Sequence, residues 1–514
     1  MLLAATALGL ALRVYQLARP GFLLGVTEYD DGVYFGSAVR LFYGAVPYRD
    51  FVLVHPPGIV LLMAPLGLLA RATGTATAFA VARVLTAVAG AACVPLGGSL
   101  VRHRGPLAVA IVCGLLAVYP AGIDASHTVL LEPWLVLFCL FGALAAFEGD
   151  RLTARSRRLT WAGVAFGFAV AIKLWAALPL LIIALLYWAL VSRRAGLRCL
   201  AGVLIGFGAA ALPFFVSAPG SFYRDVVVAQ LSRADLTRVP VWLRLQSLAG
   251  LNVPKPASHA VIALACIALA GLALAFALGA WFETRRPPPV LDCFAGLTAI
   301  LILVVFLVPA DFYPHYAWFF APFLALSLGL TASRWAAGFT VSLHGRAGRS
   351  VRARMVPLLT LAAMAVTGLF AVRQFQHLSR LRSGDPAPLV RRSTSRGACL
   401  LVDIPTVSIL ADRFVSTDPG CSPMVDPIGT SYALSGGRNG VTGAARTPAV
   451  MRLWRSAFEA ARYVWVQCLP WRPPQCQSER RIPWTRSLLR YFTRHFELVR
   501  GQGRGMNLFV RRSS

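Results

Sequence analysis

Residues 27–58 read TEYDDGVYFGSAVRLFYGAVPYRDFVLVHPPG and crowd charged side chains between apolar blocks of membrane-spanning length. The stretch contains Glu28, Asp30, Asp31, Asp50 and His55. An acid beside a membrane is costly unless a cation, a metal or a function compensates for it. Taken alone, an Asp-Asp-Gly run also suits an ordinary turn, so the functional interpretation depends on what surrounds the stretch.

The surroundings are those of a membrane protein. Of the 514 residues, 57% are hydrophobic and 14% charged, and the mean hydropathy of +0.65 exceeds that of soluble domains. The block at 161–191 fits either one long helix or two short helices that meet near Lys173. With two helices there, the pattern predicts a polytopic α-helical membrane protein with about eleven transmembrane helices, at residues 2–17, 78–100, 106–119, 129–147, 161–175, 177–191, 199–216, 260–281, 291–308, 317–330 and 356–372.

Arginine-rich loops orient the predicted helices. The 50 Lys+Arg and 21 Asp+Glu give a net charge of +29, which in a soluble protein would suggest nucleic acid binding. The positive-inside rule explains the charge here, and we expect no nucleic acid partner. The basic loops, predicted to be cytoplasmic, lie at 102–104, 151–158, 193–198, 285–286 and 334–354. The extracytoplasmic side of the plasma membrane then receives the loops at 19–77, 120–128, 217–259 and 309–316, with everything after Arg373.

The first outer loop, residues 19–77, contains a helical pattern at 33–43 in which apolar side chains surround Arg40. Such spacing is typical of an amphipathic helix. We expect this helix to lie in the membrane interface.

Two domains are predicted: a transmembrane catalytic domain at residues 1–375 and a small extracytoplasmic α/β domain at residues 380–514. The second contains strand-like runs and helical patterns in alternation; the runs lie at 398–403, 463–467, 496–499 and 506–510, and the helical patterns at 407–413, 451–461 and 484–495. Its cysteines are candidates for two disulfides, Cys399–Cys421 and Cys468–Cys476.

Several polar residues stand at predicted outer ends of helices, where the topology can bring them into one outward cavity. Acids beside a lysine and histidines suit a reaction in which a hydroxyl is deprotonated while a phosphate leaves. The residues are Asp30, Asp31, Asp124, His127, Glu132, Lys173, Asp311, His315 and Tyr316.

The run Tyr29-Asp30-Asp31-Gly32, followed by Pro47-Tyr48-Arg49-Asp50-Phe51 and His55-Pro56-Pro57-Gly58, resembles the first outer loop of the GT-C superfamily of membrane glycosyltransferases. The resemblance is to the protein-mannosyltransferase-like branch in particular. Three further elements are similar: Gly163-x-x-x-Gly167-x-x-x-x-x-Lys173, Leu131-Glu132-Pro133 and Tyr313-Pro314-His315-Tyr316. The likeness spans most of residues 1–375.

The resemblance implies a GT-C-like enzyme that moves a sugar from a polyprenyl-phosphate donor to an acceptor hydroxyl, with inversion, at the outer face of the membrane. Asp30 matches the first loop acid, the general base of the family. Asp31 stands where many members have Glu, so the division of roles between the two acids stays open. The candidates for gripping the lipid phosphate are Lys173, Arg49, His55, His315 and Tyr316; the other cavity residues are Glu28, Asp50, Asp124, His127, Glu132 and Asp311.

The resemblance leaves the cofactor and the acceptor open. The cofactor is unknown, with a divalent metal as one possibility. The acceptor is a glycan, a lipid or a protein, and membrane lipids are expected to surround the chain.

The main alternative is a transporter or lipid flippase, since charges in a membrane cavity also carry protons or substrates. Against it, the sequence has no inverted repeat, and the charges crowd towards one predicted face. A non-catalytic scaffold for envelope assembly is the third possibility. Lys173, one of only two lysines, has its own alternative, because a lysine at a helix end also snorkels to lipid headgroups.

Overall fold

The computed structural model describes residues 1–231, 239–250, 288–309, 311–342, 346–436, 443–467, 481–499 and 507–512. These residues are mostly helical. The α-helices are Leu2–Leu17, Asp30–Phe42, Gly58–Thr73, Thr75–Val101, Pro106–Val118, Pro120–Ser126, Leu131–Ala146, Ser156–Ile172, Ala177–Leu190, Arg193–Ser217, Pro219–Tyr223, Ala229–Leu231, Val241–Leu248, Val290–Leu307, Ala317–Ser342, Arg346–Ser379, Ala387–Ser393, Pro405–Leu410, Pro427–Leu434, Pro448–Ala460 and Arg486–His495.

Five helical segments of the described part of the chain are long and apolar enough to cross a membrane. They are Thr75–Arg104, Arg193–Ser217, Val290–Leu307, Pro314–Ala337 and Arg354–Ser379. A sixth span results if Pro106–Val118 and Pro120–Ser126, bent by 50°, are counted as one. The segments Leu2–Leu17, Gly58–Thr73, Leu131–Ala146 and Leu174–Leu190 are apolar but shorter. The predicted number of eleven is therefore not confirmed, and the predicted span at 260–281 lies outside the described residues.

The described residues form two compact units. The first comprises Met1–Arg19, Leu85–Ala209 and Arg238–Leu381, and the second comprises Pro20–Val84, Ala210–Thr237 and Arg382–Ser514. Most of the apolar helices belong to the first unit. The second unit combines the acidic stretch with the C-terminal sheet.

A break at Lys173 divides the ambiguous block of the first unit into two helices. Helix Ser156–Ile172 ends before Lys173, whose backbone is extended at φ −153° and ψ 132°. A 3-10 turn at Leu174–Ala176 then leads into helix Ala177–Leu190. The two-helix alternative is thus correct, and the break places the lysine at a helix end.

Two glycines bring helix Ser156–Ile172 close to helix Arg193–Ser217. A Cβ on Gly163 would collide with the carbonyl oxygen of Cys199, and one on Gly167 with that of Val203. Glycines four residues apart permit such close approach of membrane helices. Part of the Gly163-x-x-x-Gly167 pattern therefore serves helix packing.

The second unit contains a four-stranded sheet. Its strands, in spatial order, are Leu400–Val402, Tyr463–Trp465, Leu508–Arg511 and Phe496–Leu498. The first pair is parallel and the other two pairs are antiparallel. All four lie within the strand-like runs expected from the sequence or extend one of them by a single residue. Amphipathic helices such as Pro448–Ala460 bury Trp454 and Phe458 against the sheet.

Helix Asp30–Phe42 of the second unit is buried on every side between residues 31 and 39. The prediction of an interfacial amphipathic helix at 33–43 is therefore wrong about its environment. The reason is that the face of the helix that contains Arg40 is covered as well. A Cβ on Gly36, one turn before Arg40, would lie 2.8 Å from the Phe414 ring.

The C-terminal residues contain the predicted disulfide Cys399–Cys421. The other predicted pair, Cys468–Cys476, lies outside the described residues. A short hairpin of strands Phe147–Glu148 and Arg151–Leu152 belongs to the first unit.

Candidate active site

The acid pair opens helix Asp30–Phe42 in the second unit. Asp30 is the first helical residue and is partly exposed, whereas Asp31 is fully buried. Arg83, also fully buried, approaches Asp31 with its Nη2 at 2.6 Å from Oδ2. The two side chains therefore form an ion pair that is shielded from water.

The second carboxylate oxygen of Asp31 is also occupied. The hydroxyl of Thr406, from the C-terminal part of the unit, donates to Asp31 Oδ1 at 2.8 Å. Both oxygens of Asp31 therefore accept hydrogen bonds inside the protein. A general base must reach the proton that it removes, and of the two acids Asp30 has the more accessible position.

The motif Pro47-Tyr48-Arg49-Asp50-Phe51 forms a tight turn. Arg49 Nη2 lies 2.8 Å from Asp50 Oδ2, and the two side chains are 51% and 31% exposed. The hydrogen bond from Arg49 lowers the pKa of Asp50. These two candidates thus pair with each other at an exposed position, where an ion pair contributes about 0–1 kcal/mol.

Tyr48 links this turn to His55. Its φ of +69° is unusual for a bulky residue, and its ring is buried against Phe222, with centroids 4.8 Å apart. The Tyr48 hydroxyl donates to the carbonyl oxygen of His55 at 2.6 Å. The His55 side chain is buried beside Tyr34, with ring centroids 5.6 Å apart. The motif therefore fixes the backbone of His55.

Glu28 completes the candidates of the second unit. It is partly exposed, and its Oε1 accepts from the backbone N–H of Tyr29 at 2.9 Å.

A second cluster lies in the first unit and joins Glu132, Lys173 and His315. Lys173 Nζ is 2.7 Å from Glu132 Oε1, and His315 Nε2 is 3.9 Å from the same oxygen. The Glu132 side chain is buried, and its Oε2 has no hydrogen-bond partner among the described residues. An oxygen in this state can accept a hydrogen bond from a ligand.

Two aromatic rings enclose the lysine of this cluster. Lys173 Nζ lies 3.7 Å from the Trp175 ring centroid and 4.3 Å from that of Tyr316. The faces of aromatic rings attract a cation. The break after helix Ser156–Ile172 leaves the backbone of Lys173 extended. Glu132 and the rings of Trp175 and Tyr316 then hold its ammonium group at a fixed position.

Asp124 and His127 stand together in the first unit, at helix Pro120–Ser126. Gln16 Nε2 donates to Asp124 Oδ1 at 3.2 Å, and His127 Nδ1 lies 3.8 Å from the same oxygen. Asp124 is exposed and His127 is buried. Asp311 is partly exposed in the same unit, before the 3-10 turn Pro314–Tyr316.

No group of three or more His, Cys, Asp or Glu side chains in the described part of the chain is arranged to hold a metal ion.

Several further residues were not among the predicted candidates. Arg83 lies inside a predicted span, and a charge at such a position was a usable signal. Trp175 lies two residues after Lys173, whereas Thr406 carried no signal. Asp225 was overlooked in the loop at 217–259: it is fully buried in the π-helix Arg224–Val228, and burial raises its pKa to about 6.

Comparison with known proteins adds independent information. The model of glycosyltransferase family 87 matches residues 53–309, which is half of the chain. No curated protein matches the sequence significantly.

Solved structures resemble this chain in fold. ArnT from Cupriavidus metallidurans bound to undecaprenyl phosphate is 16% identical, with a TM-score of 0.60, covering 100% of this chain and 98% of ArnT. Its apo state is 15% identical with a TM-score of 0.59, covering 99% and 97%. The oligosaccharyltransferase of Archaeoglobus fulgidus, in complex with Zn and sulfate, is 14% identical, with a TM-score of 0.48 over 91% of this chain and 67% of its own.

Proposed function

The chain belongs to glycosyltransferase family 87 and is a multi-pass membrane glycosyltransferase with the GT-C fold; from this premise we propose that it takes its sugar from a polyprenyl-phosphate donor. The superfamily and the enzyme class expected from residues 29–58 are thereby confirmed. The protein-mannosyltransferase-like branch is a looser fit to these comparisons. The family match is the observation that carries the transferase activity.

A polyprenyl-phosphate donor is supported by the ArnT structure, which contains undecaprenyl phosphate. It is also supported by the Glu132–Lys173–His315 cluster. When the sugar leaves, the lipid phosphate gains negative charge, and an ammonium group held in place stabilises that charge. We assign Lys173 this role, with His315 and Tyr316 beside it. Because Arg49 is paired at an exposed turn, we rank it below Lys173 for phosphate binding.

Asp30 is proposed as the general base. It takes the proton of the acceptor hydroxyl, whose oxygen forms a bond to the anomeric carbon as the bond from that carbon to the phosphate oxygen breaks. One such displacement inverts the anomeric centre. The two hydrogen-bonded oxygens of Asp31 support the choice of Asp30, because an acid held by Arg83 and Thr406 is poorly placed to accept a further proton.

The acceptor hydroxyl belongs to a glycan, a lipid or a protein, and we place the reaction at the extracytoplasmic face. The support for this side is the distribution of arginine-rich loops along the sequence. The side is tested by introducing single cysteines at exposed loop positions and labelling intact cells with a thiol reagent that does not cross the membrane. We expect cysteines in the loop at residues 19–77 to be labelled.

Transfer is tested with purified chain in lipid nanodiscs, a radiolabelled polyprenyl-phosphate sugar and a membrane extract as acceptor source. We expect radiolabel in the acceptor fraction and an equal amount of polyprenyl phosphate released. The matched control replaces the lipid donor by the same sugar as a nucleotide conjugate. Transfer from the nucleotide sugar alone would refute the donor class. Proton-coupled uptake by liposomes without any transfer would favour the transporter.

A further inference from the structure

The first turn of helix Asp30–Phe42 is tied to the preceding loop by Arg83. Its Nε and Nη2 both donate to Asp31 Oδ2, at 3.2 and 2.6 Å. Its Nη1 lies 2.8–2.9 Å from three backbone carbonyl oxygens, those of Phe22, Leu23 and Gly25. An arginine fork suits such a task, because its donors point in fixed directions within one plane. Asp31 is consequently held from one side by the loop that leads into the helix.

Thr406 holds Asp31 from the other side. Its hydroxyl donates to Asp31 Oδ1, and its backbone reaches the helix itself: a Cβ on Gly32 would lie 2.5 Å from Thr406 N. A Cβ on Gly36, one turn later, would lie 2.8 Å from the ring of Phe414. Residues four apart share one face of a helix. Gly32 and Gly36 thus form the face of the helix against which the C-terminal segment, residues 406–428, packs through Thr406 and Phe414.

Tyr29, on the other flank of Asp30, is held by the same C-terminal part of the unit. Its hydroxyl donates to Asp426 Oδ1 at 2.9 Å and accepts from the backbone N–H of Ile428 at 3.1 Å. Asp426 in turn caps helix Pro427–Leu434 through the N–H of Gly429, at 2.8 Å. Both neighbours of Asp30 are therefore fixed by residues that lie nearly four hundred positions away.

We propose that Thr406 and Arg83, acting through Asp31, and Asp426, acting through Tyr29, are positioning residues for Asp30, so that the C-terminal segment sets the catalytic rate. This inference rests on the proposed function, in which Asp30 is the base. Removal of either contact leaves the base chemically intact but free to move. A displacement of about 1 Å at a reacting group costs up to roughly a hundredfold in rate.

The test uses the full chain and two conservative variants, Thr406→Val and Tyr29→Phe, each of which removes one hydroxyl. Thr406→Ser restores the hydroxyl and serves as rescue. Thr394→Val is the matched control, because Thr394 is another buried threonine of the same unit, whose hydroxyl donates to the Val390 carbonyl oxygen at 2.6 Å. The readouts are kcat, KM for the donor, and hydrogen–deuterium exchange of peptides covering residues 27–36.

We expect Thr406→Val and Tyr29→Phe each to lower kcat by about tenfold or more, with KM for the donor within about twofold of native. Exchange at residues 27–36 rises in both, and Thr406→Ser recovers most of kcat. Thr394→Val leaves both readouts at native values.

Two different results would overturn two different proposals. A native chain that transfers sugar, combined with unchanged kcat in both variants or an equal loss in Thr394→Val, overturns the positioning role alone. A native chain that transfers no sugar from any polyprenyl-phosphate donor overturns the proposed function, and the positioning of a base falls with it. In that case, increased exchange still identifies the two contacts as structural.

Discussion

Replacing Arg83 by Met removes the cation from a carboxylate that is completely shielded from water. Both side chains of the Arg83–Asp31 pair have 0% exposure, and loss of one partner of a buried pair costs about 3–5 kcal/mol. At roughly 2–4 °C per kcal/mol for a unit of this size, the melting temperature should fall by about 6–20 °C. The cost arises from the uncompensated charge of Asp31 rather than from lost packing.

The double variant Asp31→Asn, Arg83→Met separates these two causes, because it leaves no buried charge. We expect it to recover at least half of the lost melting temperature. Arg49→Met is the matched control: its pair with Asp50 is exposed, so the change should cost at most about 1 kcal/mol. Thermal unfolding of detergent-solubilised protein measures all three. Equal losses for Arg83→Met and Arg49→Met, or a double variant no more stable than Arg83→Met, would show that the buried charge of Asp31 is not what destabilises Arg83→Met.

Three further predictions concern other parts of the chain. Lys173→Met should lower the initial rate of sugar transfer by about a hundredfold, because it removes the cation assigned to the leaving phosphate; a native rate would contradict that role. Burial raises the pKa of Asp403 from 3.8 to about 6, so its proton contributes stability that is fully present below pH 3.8 and lost as the pH rises through 6. The contribution is about 3 kcal/mol, and Asp403→Asn should reduce the change in melting temperature between pH 5 and pH 8, whereas an unchanged pH dependence would speak against the shift. Gly163→Val should lower the melting temperature by forcing two helices apart, while Gly208→Val, whose Cβ would meet open space, should change it little.

The helices and the strands were largely readable from the sequence because each depends on a local pattern. Blocks of apolar residues predicted helices close to their observed bounds, for example Leu2–Leu17. Short strand-like runs between helical patterns predicted the C-terminal strands. The spatial order of the strands was not readable, since it pairs Tyr463–Trp465 with both Leu400–Val402 and Leu508–Arg511. Pairing between distant segments leaves no periodic signal.

The candidate residues were chosen for a similar local reason, because acids and a rare lysine stand out in an apolar chain, and their roles stay predictions. Their partners were not found. Nothing near Asp31 indicated that Arg83 would neutralise it, and nothing in residues 400–410 indicated that Thr406 would reach it. The interfacial environment predicted for the helix at 33–43 was wrong for the same reason, since Phe414, which covers Gly36, lies far along the chain.

The proposed function requires that the chain transfers sugar with Asp30 as the base. This role is tested by the pH dependence of kcat, measured with one polyprenyl-phosphate sugar for the native chain, Asp30→Asn and Asp31→Asn. We predict that Asp30→Asn loses about 10²–10⁴ in kcat together with the acidic limb of the profile. Asp31→Asn should be slower than native but keep that limb. An Asp30→Asn variant with native kcat and an unchanged acidic limb would show that Asp30 is not the base.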